Sequence, residues 1–390
     1  MTTTDLAATD LVAAQQVAID ESGWGLPYRF FQPRNVAFWL YVWLLVLGAA
    51  TLVSQLNNIV AGYQSEIILG YVAFAVYTIP FWVALNYIDR FDAVPNKVRI
   101  LAFAWGGLIA TWVMALNANL AVFGIYGKLF GQAFLKDWGP GLTAPFTEEI
   151  AKGLGVAIII VLAPKVVRSA FDGFIIGGFV GLGFQVFENV SYVIEGAQRG
   201  FGADAQGSAI SMVITRASVG LTSHTVYSAI FGMGLVWFLG RPTEKPRRIL
   251  GLAFMASSML LHGIWDAMAA LTGGQPALLP VFLLGVPAFA IVIFFLALRY
   301  SSEHTRHWMH DILAPEVARG ILTDAELAAV AGRHKDRKAF VKSDHGHQSH
   351  AHAKHVLAAA TDLGERLAAD RGEDTPAVQF ARSEVVRVRG

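Results

Sequence analysis

Ala144-Pro-Phe-Thr-Glu-Glu-Ile-Ala-Lys-Gly153 runs directly into the apolar stretch Leu154-Gly-Val-Ala-Ile-Ile-Ile-Val-Leu-Ala163. The second half reads as a helix crossing a lipid bilayer, and the first half carries two adjacent carboxylates, Glu148 and Glu149. A charged residue at the centre of a spanning helix costs about 2.5–3.5 kcal/mol on insertion scales, and such residues mark functional sites by default. Three further polar insertions follow in apolar surroundings: Glu188-Asn189, His224, and His262 with Asp266.

The rest of the chain agrees with a membrane reading. Of 390 residues, 55% are hydrophobic and 15% charged, with a mean hydropathy of +0.49. Soluble domains carry nearer 25% charged residues. Apolar windows of spanning length fall at about 36–53, 67–88, 98–125, 142–163, 172–194, 217–239, 249–271 and 277–299. The expected fold is therefore all-α, a polytopic bundle of about eight transmembrane helices. The third window is long enough to be kinked or tilted. A net charge of +1 with no basic cluster inside the apolar region leaves nucleic acid no footprint. The absence of cysteine excludes disulfides, thiol catalysis and thiolate metal sites. The first 35 residues lack the pattern of a cleavable signal peptide, so the first transmembrane helix is expected to do the targeting.

Basic residues in short loops set the orientation. Arg29, Arg34, Arg90, Lys97, Arg99, Lys165, Arg168, Arg241, Lys245, Arg247 and Arg248 fall on alternate connections. The other connections carry at most Lys128, Lys136, Arg199 and Arg216. Both termini are thus expected in the cytoplasm of a plasma-membrane protein. Three regions follow: a cytoplasmic segment 1–35, a transmembrane domain 36–299, and a polar cytoplasmic tail 300–390 with two or three amphipathic helices. Thr323-Asp-Ala-Glu326 is a capping box opening one of them. His345, His347, His350, His352 and His355 are read as part of a solvated linker rather than a metal site.

Counting from the inner ends of the spans places the polar groups in depth. Glu148 lies 16 residues before Pro164, Glu188 16 after Asp172, His224 16 before Gly240, and His262 14 after Arg248. Each is roughly 21–24 Å from the inner boundary at about 1.5 Å per residue. Four alternating helices thus bring their polar groups to one level. Helical spacing puts Glu148 and Lys152 on one face, Phe184, Glu188 and Tyr192 on another, and pairs His262 with Asp266. Gly177, Gly178, Gly181 and Gly183 allow close helix approach. Taken singly, each feature has a simpler account: an acidic first helical turn at 148–149, a hydrogen-bonded pair of Glu188-Asn189 with Arg216 or Lys152, an interhelical bond at His224. A common depth argues for one shared site.

These residues resemble the PrsW family of intramembrane proteases, distantly related to the CAAX prenyl proteases. The resemblance covers about 89–269. It includes Asp92-Ala-Val-Pro95, Ala102-Phe-Ala-Trp-Gly106 and the E-E-x-x-K motif Pro145-Phe-Thr-Glu-Glu-Ile-Ala-Lys152. It continues through Phe171-Asp-Gly-Phe-Ile-Ile-Gly177, Gly181-Leu-Gly-Phe-Gln-Val-Phe-Glu-Asn-Val-Ser-Tyr192, His224 and His262-Gly-Ile-Trp-Asp266. The family usually ends the last motif in Asn, where this chain has Asp266. The resemblance implies regulated proteolysis of a membrane-anchored protein, for example an anti-sigma factor, at a glutamate-based site without metal.

With no Ser–His or Cys–His nucleophile system in view, a carboxylate base is the economical choice for activating water. The expected catalytic set is Glu148, Glu149, Glu188, His224 and His262, supported by Lys152, Asn189, Tyr192 and Asp266. In it Glu148 or Glu149 activates water, Lys152 holds the other carboxylate, Glu188 shares a proton with that pair, and the histidines polarise the carbonyl or protonate the amine. Two His and several Glu also form a zinc-type donor set, although H-E-x-x-H is absent. No cofactor is expected. Rival classes are a proton-coupled transporter, which also clusters ionisable groups in the membrane, and a non-catalytic scaffold of the same fold.

Overall fold

The computed structural model describes residues 3–91, 93–199, 203–343 and 350–390. Asp92, His345 and His347 lie outside the described residues. Among the described residues every regular element is helical, apart from one isolated bridge between Arg241 and Glu244. The chain forms two compact units, one of residues 29–90 and 94–299, the other of residues 1–28, 91–93 and 300–390.

The first unit holds the apolar helices. Helix α1 (Thr3–Ser22) belongs to the second unit; α2 (Val36–Ile88) opens the first. A break at Tyr63 (φ −137°, ψ 33°) divides α2 into Val36–Asn58 and Gly62–Ile88. Helix α3 (Asn96–Ala104), a π-helical segment Trp105–Ala115 and α4 (Leu116–Leu162) then form one helical stretch of 67 residues. Straight, it would measure about 100 Å. It folds back at Gly131, whose φ of 84° and ψ of 170° suit only glycine. Tyr126 meets Phe134 across this point, and Asn119 meets Glu148, so the two limbs are antiparallel. The stretch is thus a helical hairpin. It accounts for two of the expected spans, and among the described residues seven stretches of membrane-spanning length yield eight limbs.

Helix α5 (Ala170–Arg199) is the central pass, buried along almost its whole length. Its glycines are the reason it can be. A Cβ on Gly177 would lie 2.1 Å from the Ser228 carbonyl oxygen, one on Gly181 2.2 Å from that of His224, and one on Gly183 2.0 Å from that of Phe103. Backbone therefore packs against backbone on two sides of α5, as the small-residue pattern predicts. The next pass is interrupted. Helix α6 (Ala205–Val219) ends in a 3₁₀ turn at Gly220–Thr222, and α7 (His224–Leu239) begins afresh. Helices α8 (Arg248–Asp266), the short α9 (Met268–Leu271) and α10 (Leu279–Ala318) complete the unit up to Arg299.

The connections bearing the basic residues are knitted to one another. Gln32 donates to the Leu162 carbonyl at 2.7 Å, and Arg99 pairs with Asp89 at 2.8 Å. Arg241 Nε donates to the Val167 carbonyl at 2.7 Å. Glu244, buried, accepts from the Ala170 amide and the Trp237 indole.

In the second unit, α1 and the end of α10 join α11 (Asp324–Ala331), α12 (His334–Lys342), α13 (His350–Ala369) and α14 (Pro376–Arg389) around Trp24, Trp308, Leu313 and Leu363. Glu316, fully buried, is satisfied by the fork of Arg382 at 2.7 and 2.9 Å. The Thr323–Glu326 capping box is present. Two expectations are corrected. Four helices, not two or three, follow α10 among the described residues. His350, His352 and His355 are not in a linker but in the first turns of α13, whose apolar face (Val356, Leu357, Ala360) packs into the core.

Gly177→Ala forces a methyl against the α7 backbone and should destabilise the protein by about 1–3 kcal/mol. Gly285→Ala, in α10 where a Cβ meets nothing within 4 Å, should not. Thermal melting of the two variants in detergent micelles checks this contrast.

Candidate active site

The second limb of the α4 hairpin carries Pro140 and Pro145 within it, and the two glutamates follow one turn later. They have different environments. Glu149 is fully enclosed: its carboxylate takes the Lys152 ammonium at 2.7 Å, faces His262 Nδ1 at 3.1 Å and accepts from Ser228 Oγ at 3.4 Å. Glu148 accepts from the Asn119 amide at 3.1 Å through Oε1. Its Oε2 makes no hydrogen bond, yet lies 3.7 Å from Lys152 Nζ, 3.8 Å from His224 Nδ1 and 3.7 Å from His262 Nε2. Lys152 is thus closer to Glu149 than to Glu148, the reverse of the i,i+4 expectation. The cause is a third claimant: the same ammonium also donates to His224 Nδ1 at 2.9 Å.

Helix α5 presents Phe184, Glu188 and Tyr192 as one stripe. The Lys152 ammonium sits 4.2 Å from the Phe184 ring centroid, a cation–π contact. Glu188 accepts from Arg216 at 2.6 Å and faces His224 Nε2 at 2.9 Å. Arg216 also donates to Asn189 Oδ1 at 2.7 Å and lies over Tyr192 at 4.1 Å. Glu188 is therefore held by a guanidinium and an imidazole rather than by another carboxylate.

His224, expected inside an unbroken span 217–239, is the first residue of α7, after the break at Gly220–Thr222. Broken helix inside a membrane needs other partners for its backbone groups, and Gln185 of α5 supplies them. Its amide donates to the Gly220 carbonyl at 2.8 Å and accepts from the Thr225 amide N–H at 3.2 Å and its hydroxyl at 3.0 Å. Because Lys152 can only donate, His224 Nδ1 accepts and Nε2 carries the proton toward Glu188.

From α8, His262 enters between the glutamates. Gly141 of α4, Gly263 of α8 and Ala267 just after it let the two backbones touch, since a Cβ on Gly141 would fall 2.7 Å from the Gly263 carbonyl oxygen. Asp266 lies 3.3 Å from His262 Nε2, the expected one-turn pairing. The rings of His224 and His262 are 5.0 Å apart.

All the sequence-derived candidates meet here: Glu148, Glu149, Glu188, His224 and His262, with Lys152, Asn189, Tyr192 and Asp266 around them. A cavity of about 460 Å³ opens onto Glu148, Glu188, His224, His262, Tyr192, Arg216 and Asp266, but neither Glu149 nor Lys152 lines it. Trp112, Leu116, Leu120, Phe123 and Trp265 form its apolar wall. Sequence reasoning missed Asn119 and Gln185, whose only signal is an amide inside an apolar window, and Ser228. Four carboxyl groups (Glu148, Glu149, Glu188 and Asp266) share one ammonium, Lys152, and one guanidinium, Arg216. Protons on the carboxyl groups or histidines, or a bound cation, balance the excess. Glu148, His224 and His262 offer ligand atoms within 4.8 Å of one another, a donor set that could hold a divalent ion.

The model of the PrsW family, described as "PrsW family intramembrane metalloprotease", matches residues 94–298, just over half of the 390-residue chain. The chain is similar to Protease PrsW of Geobacillus kaustophilus, 26% identical over 178 residues, which is 46% of this chain and 69% of that protein. It is also similar to Protease PrsW of Clostridioides difficile, 23% identical over 189 residues (48% and 72%). With Protease PrsW of Bacillus subtilis it shares 25% identity over 182 residues (46% and 72%). No solved structure matches the chain. A family match across more than half the chain, running through every helix that contributes to the cluster, means that the chain belongs to the PrsW family.

Proposed function

We propose that the protein is an intramembrane endopeptidase that hydrolyses membrane-anchored proteins, with Glu148 as the residue that activates water. One observation carries this reading: of the two adjacent glutamates, Glu148 alone lines the cavity, and its Oε2 has no hydrogen-bond partner. A general base must have a free lone pair within reach of the water it deprotonates. Glu149, closed off by Lys152, His262 and Ser228, serves instead to position those groups.

In the reaction a water at Glu148 attacks the scissile carbonyl as its proton passes to the carboxylate. The same proton is then available to the departing amine. His262, steadied by Glu149 and Asp266, and His224, steadied by Lys152 and Glu188, border Glu148 on either side and shape the place where charge develops. The cavity volume lies in the range of small-ligand sites, and its wall is apolar on the side of the first hairpin limb. That combination suits a segment drawn from another membrane protein. The basic connections support an orientation with both termini in the cytoplasm, which sets the cluster in the outer half of the bilayer.

The convergence of Glu148, His224 and His262 also supports a second reading, in which they hold a divalent ion, zinc by its donors. Bound there, the ion would polarise a carbonyl and acidify a water. Lys152 favours the first reading, because its ammonium already occupies His224 Nδ1 at 2.9 Å and would have to withdraw.

Co-expression with single-pass membrane substrates tests the proposal. Glu148→Gln should lower cleavage by about 10²–10⁴-fold with the protein still folded. Glu149→Gln should instead weaken the fold, since a buried cation that loses its charged partner costs about 3–5 kcal/mol. Full cleavage by Gln variants at 148, 149 and 188 would end the proposal. Elemental analysis and chelator treatment of purified protein separate the two chemistries. The glutamate reading expects no stoichiometric metal and cleavage that survives chelation, whereas one ion per chain with chelator-sensitive cleavage would replace it with the metal reading.

A further inference from the structure

Two asparagines lie close together on the first hairpin limb, and they are satisfied in opposite ways. Asn117 turns its amide back onto its own helix, donating to the Val113 carbonyl at 2.9 Å and the Trp112 carbonyl at 3.3 Å. This is the ordinary way for an amide in an apolar helix to avoid the cost of an unmade hydrogen bond. Asn119 makes no such bond. It reaches across the hairpin, where Thr147 Oγ1 donates to its Oδ1 and its Nδ2 donates to Glu148 Oε1 at 3.1 Å. The carboxylate, which can only accept, fixes which end of the amide faces it, and the Thr147 hydroxyl, also 3.1 Å from the Thr143 carbonyl, meets the other end. One N–H is used on Glu148, and the second has no partner among the described residues. Asn119 lines the cavity beside Glu148.

The imidazole and guanidinium groups around the glutamate are engaged elsewhere. His224 Nε2 faces Glu188 and its Nδ1 accepts from Lys152. His262 faces Glu149 and Asp266, and Arg216 is taken by Glu188 and Asn189. Asp266, once ionised, can only accept.

From this geometry we infer that Asn119 is a catalytic residue: one N–H holds Glu148 and the other donates to the oxygen of the scissile carbonyl. The inference rests on the peptidase reading above. As the water oxygen bonds to the carbonyl carbon, its proton goes to Glu148 Oε2. The carbonyl π pair moves onto oxygen, where the free N–H of Asn119 meets the developing charge. When the C–N bond breaks, the proton on Glu148 passes to the amine nitrogen, leaving a carboxylic acid and an amine. Thr147 is the positioning residue at the other end of the amide.

The test is steady-state cleavage of a membrane-anchored substrate by full-length protein in detergent or liposomes, with Glu148→Gln as the inactive reference. Removing one oxyanion donor typically lowers kcat by about 10²–10³-fold. Asn119→Ala and the isosteric Asn119→Asp should both do so, with KM changed by less than about threefold, the pattern of an interaction made in the transition state. Asn119→Asp carries the test if the alanine variant does not fold. Thr147→Val should lower kcat by about tenfold on the same logic, add nothing to Asn119→Ala, and be rescued by Thr147→Ser. If Glu148→Gln is inactive while both Asn119 variants keep kcat within threefold of wild type, the role of Asn119 is overturned and the peptidase reading stands. A kcat loss matched by lowered thermal stability in Asn119→Asp, or an additive Thr147→Val, would make Asn119 structural. If wild type cleaves no substrate, or Glu148→Gln cleaves normally, both readings fall together.

Discussion

The Lys152 ammonium is a charge almost completely removed from solvent, and four groups from three helices enclose it. Glu149 meets it at 2.7 Å and His224 at 2.9 Å, Glu148 stands 3.7 Å away, and the Phe184 ring closes the remaining side. In hydrocarbon surroundings an ammonium left without partners is costly enough to unfold or misinsert the helix that bears it. The arrangement is therefore mutual: α4 can carry Lys152 only if α5 and α7 close around it, and they can close only because their glycines let the backbones touch. The polar centre and the tight apolar packing are two aspects of one constraint.

Much of this is legible in the sequence, because helices have a fixed rise. Glu148, Glu188, His224 and His262 stand out as ionisable groups in apolar runs, and counting along alternating spans was enough to bring them to one level. The small-residue spacing of Gly177 and Gly181 likewise announced a close helix approach. What escaped notice has a common physical character. Asn119 and Gln185 carry no charge, so they barely disturb a hydropathy window, although one fixes a carboxylate and the other bridges a broken helix. The break itself was hidden because Gly220-Leu-Thr-Ser-His224 is polar enough to end a helix but not polar enough to end a span.

Pairing rules were reliable where a helix acts alone and failed where another helix intervened. His262 and Asp266 pair one turn apart as spacing dictates. Lys152 does not favour the residue one turn before it, because His224 from α7 and the neighbouring Glu149 together fix its position. Glu188 was expected to share a proton with a second carboxylate; Arg216, which the simpler account of Glu188-Asn189 had offered, took that place. In the tail the apolar positions of α13, Val356, Leu357 and Ala360, outweighed a composition rich in His, Ser and Ala.

The hairpin that turns at Gly131 has the further effect of a ruler. Asn119 and Glu148 are separated by 29 positions and yet face each other, so the number of residues in the returning limb sets which way the glutamate points. Each added or deleted residue would rotate everything beyond it by about 100°, carrying Glu148 away from the cavity and turning a neighbour toward it. Gly131 itself must stay glycine for its positive φ, and the limbs on either side of it are not free to change their length.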